Sequence, residues 1–279
     1  DVTFTVTDEQ ITCVMAPSGI GKTTLLQILM GLEKPDSGTV SLPSNCRWAA
    51  VFQEDRLLEH LDAMENLKFV LGNDIDLTDA KSLLEDLGLT ELEGKLVRDY
   101  SGGMKRRLAL ARALLAPADA LALDEPFSGL DPINQGRLES LVLREQERGA
   151  TILFSTHVMA HAERLCDGIS IIAKSRLRFE GTVDEARALL PMQTSYTPRV
   201  KDQLMDQQAL LPEGAIWRGD KWHFSIAASQ TESLIARLVA SPYGIAGLSV
   251  DHPALHEAFV HIVKQADPSA QNIEEKAAP

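Results

Sequence analysis

Apolar and polar positions alternate along Val2-Thr3-Phe4-Thr5-Val6, the period of a half-buried strand. Ile11-Thr12-Cys13-Val14-Met15 is more uniformly apolar and predicts a buried strand running into a turn at Ala16-Pro17-Ser18-Gly19. A helix is expected from about Lys22, with Leu25, Leu26 and Leu29 on one face and Gly31 at its C-terminal cap. Lys34 to Gly38 reads as a turn, Thr39 to Leu42 as a short strand, and Ala49 to Phe52 as another. From about His60 to Ala116 the pattern is helical. Ala120-Leu121-Ala122-Leu123 then predicts a buried parallel strand ending in Asp124-Glu125-Pro126. Asp131 caps a following helix with Pro132 in its first turn, and Thr151 to Phe154 is a further buried strand. Strands alternating with helices in this way indicate an α/β sheet sandwiched by helices.

The character changes after about Leu190. Ile216 to Phe224 predicts a hairpin with a two-residue Gly219-Asp220 turn, which sets Trp217 opposite Trp222. Ser229 with Glu232 has the spacing of a capping box for a helix that turns Leu234, Ile235, Leu238 and Val239 inward. Leu255, Phe259 and Ile262 line a last helix. The expected organisation is an α/β domain over residues 1–190, with a helical subdomain at about 60–116, then a small α+β domain over 191–265. Residues 266–279 are polar and expected to be disordered.

The net charge of -13 changes the picture in one respect. Such a surface repels nucleic acid, so a role on DNA or RNA is disfavoured, although a local loop can still hold phosphate. No uncharged apolar run is long enough to span a membrane, because Arg112 and Asp119 interrupt Leu108 to Leu123. There is no signal peptide pattern. Cys13, Cys46 and Cys166 lack metal-ligand spacing and read as reduced thiols.

Two segments carry candidate chemistry. Ser18-Gly19-Ile20-Gly21-Lys22-Thr23-Thr24 lies between a buried strand and a helix, the setting a phosphate-binding loop needs. Its glycines let backbone N–H groups converge, and the helix N-terminus adds partial positive charge. Lys22 can reach the β- and γ-phosphates of a nucleotide, and the Thr23 hydroxyl can coordinate Mg²⁺. The strict pattern has Gly where this chain has Ala16, a position where Ala fits if its φ is negative. Asp124 and Glu125 end a buried strand, where α/β sheets bind ligands. Asp124 is expected to hold Mg²⁺, directly or through water, and Glu125 to orient or deprotonate an attacking water.

Further segments bring in a family. Tyr100-Ser101-Gly102-Gly103-Met104-Lys105-Arg106-Arg107, Gln53 after Val51-Phe52, Leu121 to Pro126, Ser128-Gly129-Leu130-Asp131 and Ser155-Thr156-His157 occur together in the chain. Across about Val2 to Leu189 the chain resembles the ATP-binding cassette of ABC transporters. These segments resemble its signature motif, Q-loop, Walker B strand, D-loop and switch histidine. The resemblance implies a P-loop ATPase with a RecA-like core, a helical subdomain and the small C-terminal α+β domain. It implies ATP and Mg²⁺ as cofactors, with Gln53 and His157 beside Glu125 in catalysis and Gln53 also near the metal. Ser101, Gly102, Gly103 and Asp131 would act at a shared nucleotide in a head-to-tail dimer of two cassettes. A transmembrane permease would dock on the helical region between Gln53 and Ser101, so the chain would work at the cytoplasmic face of a membrane it does not itself cross.

The chain departs from that family at two places. The family stacks adenine on an aromatic residue upstream of Val2 to Val6, and Phe4 lies too close to the loop to replace it. That implies either a truncated N-terminus or base recognition weakened by about 1–3 kcal/mol. Only 31 positions separate Lys22 from Gln53, so the small β-subdomain between them is expected to be trimmed. As to direction, Phe52 to Leu58 is similar to nitrate-, sulfonate- and taurine-type importers. Ser155 to Met159, Ala162 to Asp167, Glu180 to Thr182 and Leu248 to Phe259 resemble exporters of the ABC-2 or multidrug type and cover more chain, which favours export. Cassette proteins that act on ribosomes or DNA generally carry two cassettes or long coiled coils, and this chain has neither.

Overall fold

The computed structural model describes residues 2–17, 19–72, 76–90, 92 and 94–267. These form two compact units. One runs to Gly181 and includes Ala266 and Asp267, and the other is Thr182–Gln265.

The first unit contains β1 (Ile11–Met15), α1 (Lys22–Leu29), β2 (Trp48–Val51), α2 (Ala63–Leu71), α3 (Leu77–Asp86), α4 (Gly102–Leu114), β3 (Ala120–Asp124), α5 (Pro132–Glu147), β4 (Thr151–Ser155), α6 (Met159–Leu165), β5 (Gly168–Ala173) and β6 (Arg176–Gly181). The sheet order is β2-β3-β4-β1-β5-β6. The first five strands are parallel, and β6 pairs antiparallel with β5 at the edge. Every residue of β1 and of β3 is buried. Continuous apolar runs such as these suit a parallel sheet covered on both faces. The entrances to β2 and β3 are tied together on the surface by Arg47, whose Nε and Nη2 donate to the Asp119 carboxylate at 3.1 and 3.0 Å. Asp62 and Glu65 form a capping box at the start of α2. The buried Asn66 closes the preceding loop by accepting from Leu58 N and donating to its carbonyl.

The structure corrects two predicted strands. Val2 to Val6 keeps its alternation of burial but forms no strand. Val2, Phe4 and Val6 pack on the cluster of Val14, Ala16, Leu26, Leu153 and Ile172, while Thr5 N donates to the Glu180 carboxylate rather than to a neighbouring strand. Thr39 to Leu42 also forms no strand, and Val40 and Leu42 are exposed. Alternation marks which side chains turn inward, but a strand also needs a backbone partner, and neither segment has one among the described residues.

The second unit contains α7 (Val183–Arg187), β7 (Met192–Pro198), α8 (Leu204–Gln208), β8 (Ile216–Arg218), β9 (Lys221–Ile226), α9 (Thr231–Ala240), β10 (Ile245–Asp251) and α10 (Leu255–Ala266). Its antiparallel sheet has the order β10-β7-β9-β8, a split β-α-β arrangement. The predicted hairpin forms. Gly219 and Asp220 both have positive φ, as a two-residue type I′ turn requires, and Trp217 pairs with Trp222 edge to face at 5.3 Å. Tyr196, Trp222, Phe224, Leu234 and Leu238 form the core. The indole of Trp222 donates to Gln207 at 2.9 Å, and Gln207 in turn donates to the carbonyls of Val200 and Asp202. The capping box at Ser229 does not form. Ala228–Gln230 is a 3-10 turn, Gln230 takes the cap position, and Glu232 falls second in the helix rather than third. With that start, Leu234 and Leu238 turn inward, Ile235 is half-buried and Val239 is exposed. Ala266 ends α10, and residues 268–279 lie outside the described residues.

Candidate functional site

Parallel pairing brings the C-terminal ends of four strands to one edge. Val51 pairs with Leu123, Asp124 with Ser155, and Ser155 with Val14. The loops that follow these strands therefore emerge together, where ligands bind in sheets of this type.

The loop after β1 turns on Gly19 and Gly21, whose φ values are 81° and 96°. Side chains with a Cβ rarely adopt this region. Gly21 stands at the N-cap of α1 and has no side chain to satisfy the first N–H groups of the helix. Those donors, with the helix dipole, are free for an anion. Ile20 is half-buried and packs on the apolar cluster beneath, while Thr24 is exposed. Ser18 lies outside the described residues. The Lys22 ammonium is folded back on its own loop. It donates to the Ala16 carbonyl at 3.2 Å and lies 3.6 Å from Glu125 Oε1.

Asp124 is 1% exposed, and both of its carboxylate oxygens accept hydroxyl donors. Thr23 Oγ1 reaches Oδ2 and Ser155 Oγ reaches Oδ1, each at 2.5 Å. Ser155 also accepts from Glu125 N at 3.1 Å. Glu125 leaves the strand with φ 49°, an uncommon conformation for a residue with a Cβ and one found at strained functional positions. Its Oε2 lies 2.9 Å from His157 Nδ1. Lys22, Thr23, Asp124, Glu125, Ser155 and His157 thus form one connected polar network. Gln53 is exposed two residues beyond β2. The Thr23 hydroxyl and Asp124 carboxylate are adjacent hard oxygen donors. That chemistry fits Mg²⁺, which takes few protein ligands and keeps the rest of its shell for water and phosphate.

Ser101, Gly102 and Gly103 occupy a different place. Ser101 caps α4, its hydroxyl accepting from Met104 N at 3.3 Å, and both Ser101 and Gly102 are exposed. A Cβ on Gly103 would stand 3.3 Å from the carbonyl of Gly129, so α4 begins against the loop that leads to Asp131. Asp131 caps α5, and hydrogen bonds from Asn134 and Ile133 hold its carboxyl below the ordinary range. Asn134 also accepts from Arg107 at 3.0 Å, which joins this cap to α4.

Three residues of the region carry more than the sequence suggested. Ser155 bridges Asp124 and Glu125. His161 is buried, stacks on Phe127 at 3.9 Å, and bonds Glu139 at 2.9 Å. Burial depresses its pKa against the opposing pull of Glu139. Arg106 stood only as one residue of the segment that resembles the signature motif, and its four acceptors come from two segments distant in sequence. The motif does not show those partners.

No helix among the described residues is long and apolar enough to cross a membrane. The sequence profile of the ABC transporter family matches residues 1–128. The Nod factor export ATP-binding protein I of Burkholderia lata is 42% identical over 200 residues, 64% of each chain. The present chain thus spans a little under two thirds of that relative's length. An aliphatic sulfonates import ATP-binding protein of Rhodococcus jostii is 37% identical, over 67% of this chain and 78% of its own. A daunorubicin resistance ATP-binding protein of Streptomyces coeruleorubidus is 32% identical, over 89% of this chain and 85% of its own. A solved structure of the ATP-binding subunit of an ABC transporter superposes with a TM-score of 0.62 at 28% identity, covering 68% of this chain and 85% of that one. With the strand order and the polar network at its edge, these similarities establish that the chain belongs to the ABC transporter family of P-loop proteins.

Proposed function

We propose that this chain binds ATP with Mg²⁺, hydrolyses it, and drives a transmembrane permease from the cytoplasmic face of the membrane. The single observation that carries this reading is the convergence of Lys22, Thr23, Asp124, Glu125 and His157 at the end of the parallel strands. The phosphates would lie on the N–H groups of α1. Their charge would draw the Lys22 ammonium away from Ala16 and Glu125 and onto the β- and γ-oxygens. Thr23 and Asp124, with Gln53, would hold Mg²⁺, which neutralises phosphate charge when bound. Glu125 would then accept a proton from a water whose oxygen bonds to the γ-phosphorus as the bond to the ADP oxygen breaks. The products are ADP and phosphate. His157 would keep the Glu125 carboxylate aimed and meet the γ-phosphate.

The exposure of Ser101 and Gly102 supports a shared site in which a second cassette supplies its own Ser101 to Gly103. Asp131 would lie in the same interface. The permease would dock on the helical region that follows Gln53. Export is the direction favoured here, since the similarity to the daunorubicin resistance protein extends over 89% of the chain and so into the second unit. Import is the second reading, favoured by the sulfonate import relative and by the segment Phe52 to Leu58.

The test of hydrolysis is phosphate release by the full chain and by Glu125→Gln, with ATP binding followed separately. Parental turnover in the variant would sink the role given to Glu125. Direction is tested by adding ATP to inside-out vesicles that carry the chain with its permease. Substrate uptake into those vesicles supports export, and ATP-driven release supports import.

A further inference from the structure

The side chain of Arg106 is almost wholly enclosed, with 4% of the residue exposed. It lies on α4, five positions after Ser101. One end of the guanidinium, Nη1, donates to the carbonyl of Phe52, next to Gln53, and to the Asp55 carboxylate at 3.3 Å. The other end, Nη2, donates to the carbonyls of Asp124 and Glu125 at 2.6 and 2.8 Å. Those two carbonyls belong to the residues that carry the carboxylates of the site, and the second belongs to the residue with φ 49°. A left-handed backbone at a non-glycine residue persists only where its surroundings hold it. Arg106 supplies part of that hold.

Other cations of α4 secure the same loop. Arg112 donates to the carbonyls of Asp55 and Arg56 at 3.0 and 2.8 Å, and Lys105 pairs with Glu59. The segment after Gln53 is therefore fastened to α4 along its length, and Arg106 alone of these three reaches on to β3.

We propose that Arg106 is a positioning residue for ATP hydrolysis. Through two backbone carbonyls it sets the direction of the Glu125 carboxylate, and it ties that direction to the place of the Gln53 loop and of α4. A displacement of either one pulls on the peptide that carries the proton acceptor. The fork shape of arginine is what allows this, since its two ends serve two segments at once. A lysine ammonium is a compact point charge and lacks that planar, two-ended reach. The proposal rests on the reading of Glu125 as proton acceptor.

The test uses the full chain and the variants Arg106→Gln, Arg106→Lys, Glu125→Gln and Arg106→Gln/Glu125→Gln. Single-turnover hydrolysis, kcat, KM and equilibrium ATP binding are measured for each. Arg106→Gln is expected to lower kcat by about 10–100-fold, the scale of a misplacement near 1 Å, with KM and ATP affinity within about twofold of the parent. Arg106→Lys is expected to fall between. In the double variant the loss from Glu125→Gln should grow by less than about twofold, because both changes act on one group. The proposal is overturned by parental kcat in Arg106→Gln, by a parallel loss of ATP affinity, or by losses that multiply in the double variant. Should circular dichroism show Arg106→Gln unfolded, Arg106→Lys decides: a lowered kcat at unchanged KM sustains the proposal, and any other result ends it. Parental turnover in Glu125→Gln would instead remove the Glu125 reading on which all of this rests.

Discussion

His157 Nδ1 lies 2.9 Å from one oxygen of the Glu125 carboxylate, and Lys22 Nζ lies 3.6 Å from the other. Two loops that follow different strands thus meet on one side chain, itself placed by an uncommon backbone angle. The ammonium and the carboxylate pair with one another. A bound phosphate would compete for Lys22 and release Glu125 for a water. Glu125→Gln keeps the size of the group and removes its basicity. Hydrolysis is expected to fall by about 10²–10⁴-fold with ATP binding retained, measured by phosphate release and by equilibrium nucleotide binding.

Ser101 gives the second prediction. Its side chain caps α4 and is exposed, so a larger residue there can extend into solvent. Ser101→Arg is expected to abolish turnover in an assembled transporter while the isolated chain binds ATP with near-parental affinity. The capping loss alone is about 1 kcal/mol, too small to unfold the unit. Equal weakening of ATP binding in the isolated chain would refute the shared site.

The surface tie between Arg47 and Asp119 predicts a pH effect. The hydrogen bonds and charge of Arg47 lower the Asp119 pKa from 3.8 to about 2. A carboxyl with a depressed folded-state pKa stabilises the fold above its unfolded value, and the effect is lost as pH falls through the folded one. Its contribution is therefore complete above about pH 4 and disappears toward pH 2. A carbon-detected NMR titration should place the Asp119 midpoint near 2, and Arg47→Ala should return it toward 3.8.

Trp222 tests the second unit. It is 3% exposed, pairs with Trp217, and partners Gln207. Trp222→Ala removes a large core side chain and leaves the Gln207 oxygen without its donor. The expected loss is about 3–5 kcal/mol, seen in calorimetry as a lower transition for this unit with the other unchanged. A single transition moved by the same amount would mean that the two units unfold together.

Much of the fold could be read along the chain. The runs at Ile11 to Met15, Ala120 to Asp124 and Thr151 to Ser155 are apolar enough to be strands buried on both sides, and the Gly219-Asp220 turn fixes its hairpin register unaided. What failed depended on partners. Val2 to Val6 has the period of a strand and no ladder, and Ser229 has the spacing of a capping box two residues ahead of where the helix starts. The site divides in the same way. Lys22, Asp124, Glu125 and His157 sit in local patterns that a sequence displays. Ser155, His161 and Arg106 act on groups 18 to 54 positions away, and the segments they sit in do not show which groups those are.

The position of β1 in its sheet has a further consequence. Its neighbours are β4 and β5, which end at Ser155 and Ala173, although β1 itself ends at Met15. During synthesis the glycine loop leaves the ribosome long before the strands that flank it. The strand that carries it stays unpaired until β4, which ends 140 positions further on, has followed. An emerging chain therefore holds that loop on a lone strand, and its seat takes shape only when the middle of the sheet closes around β1.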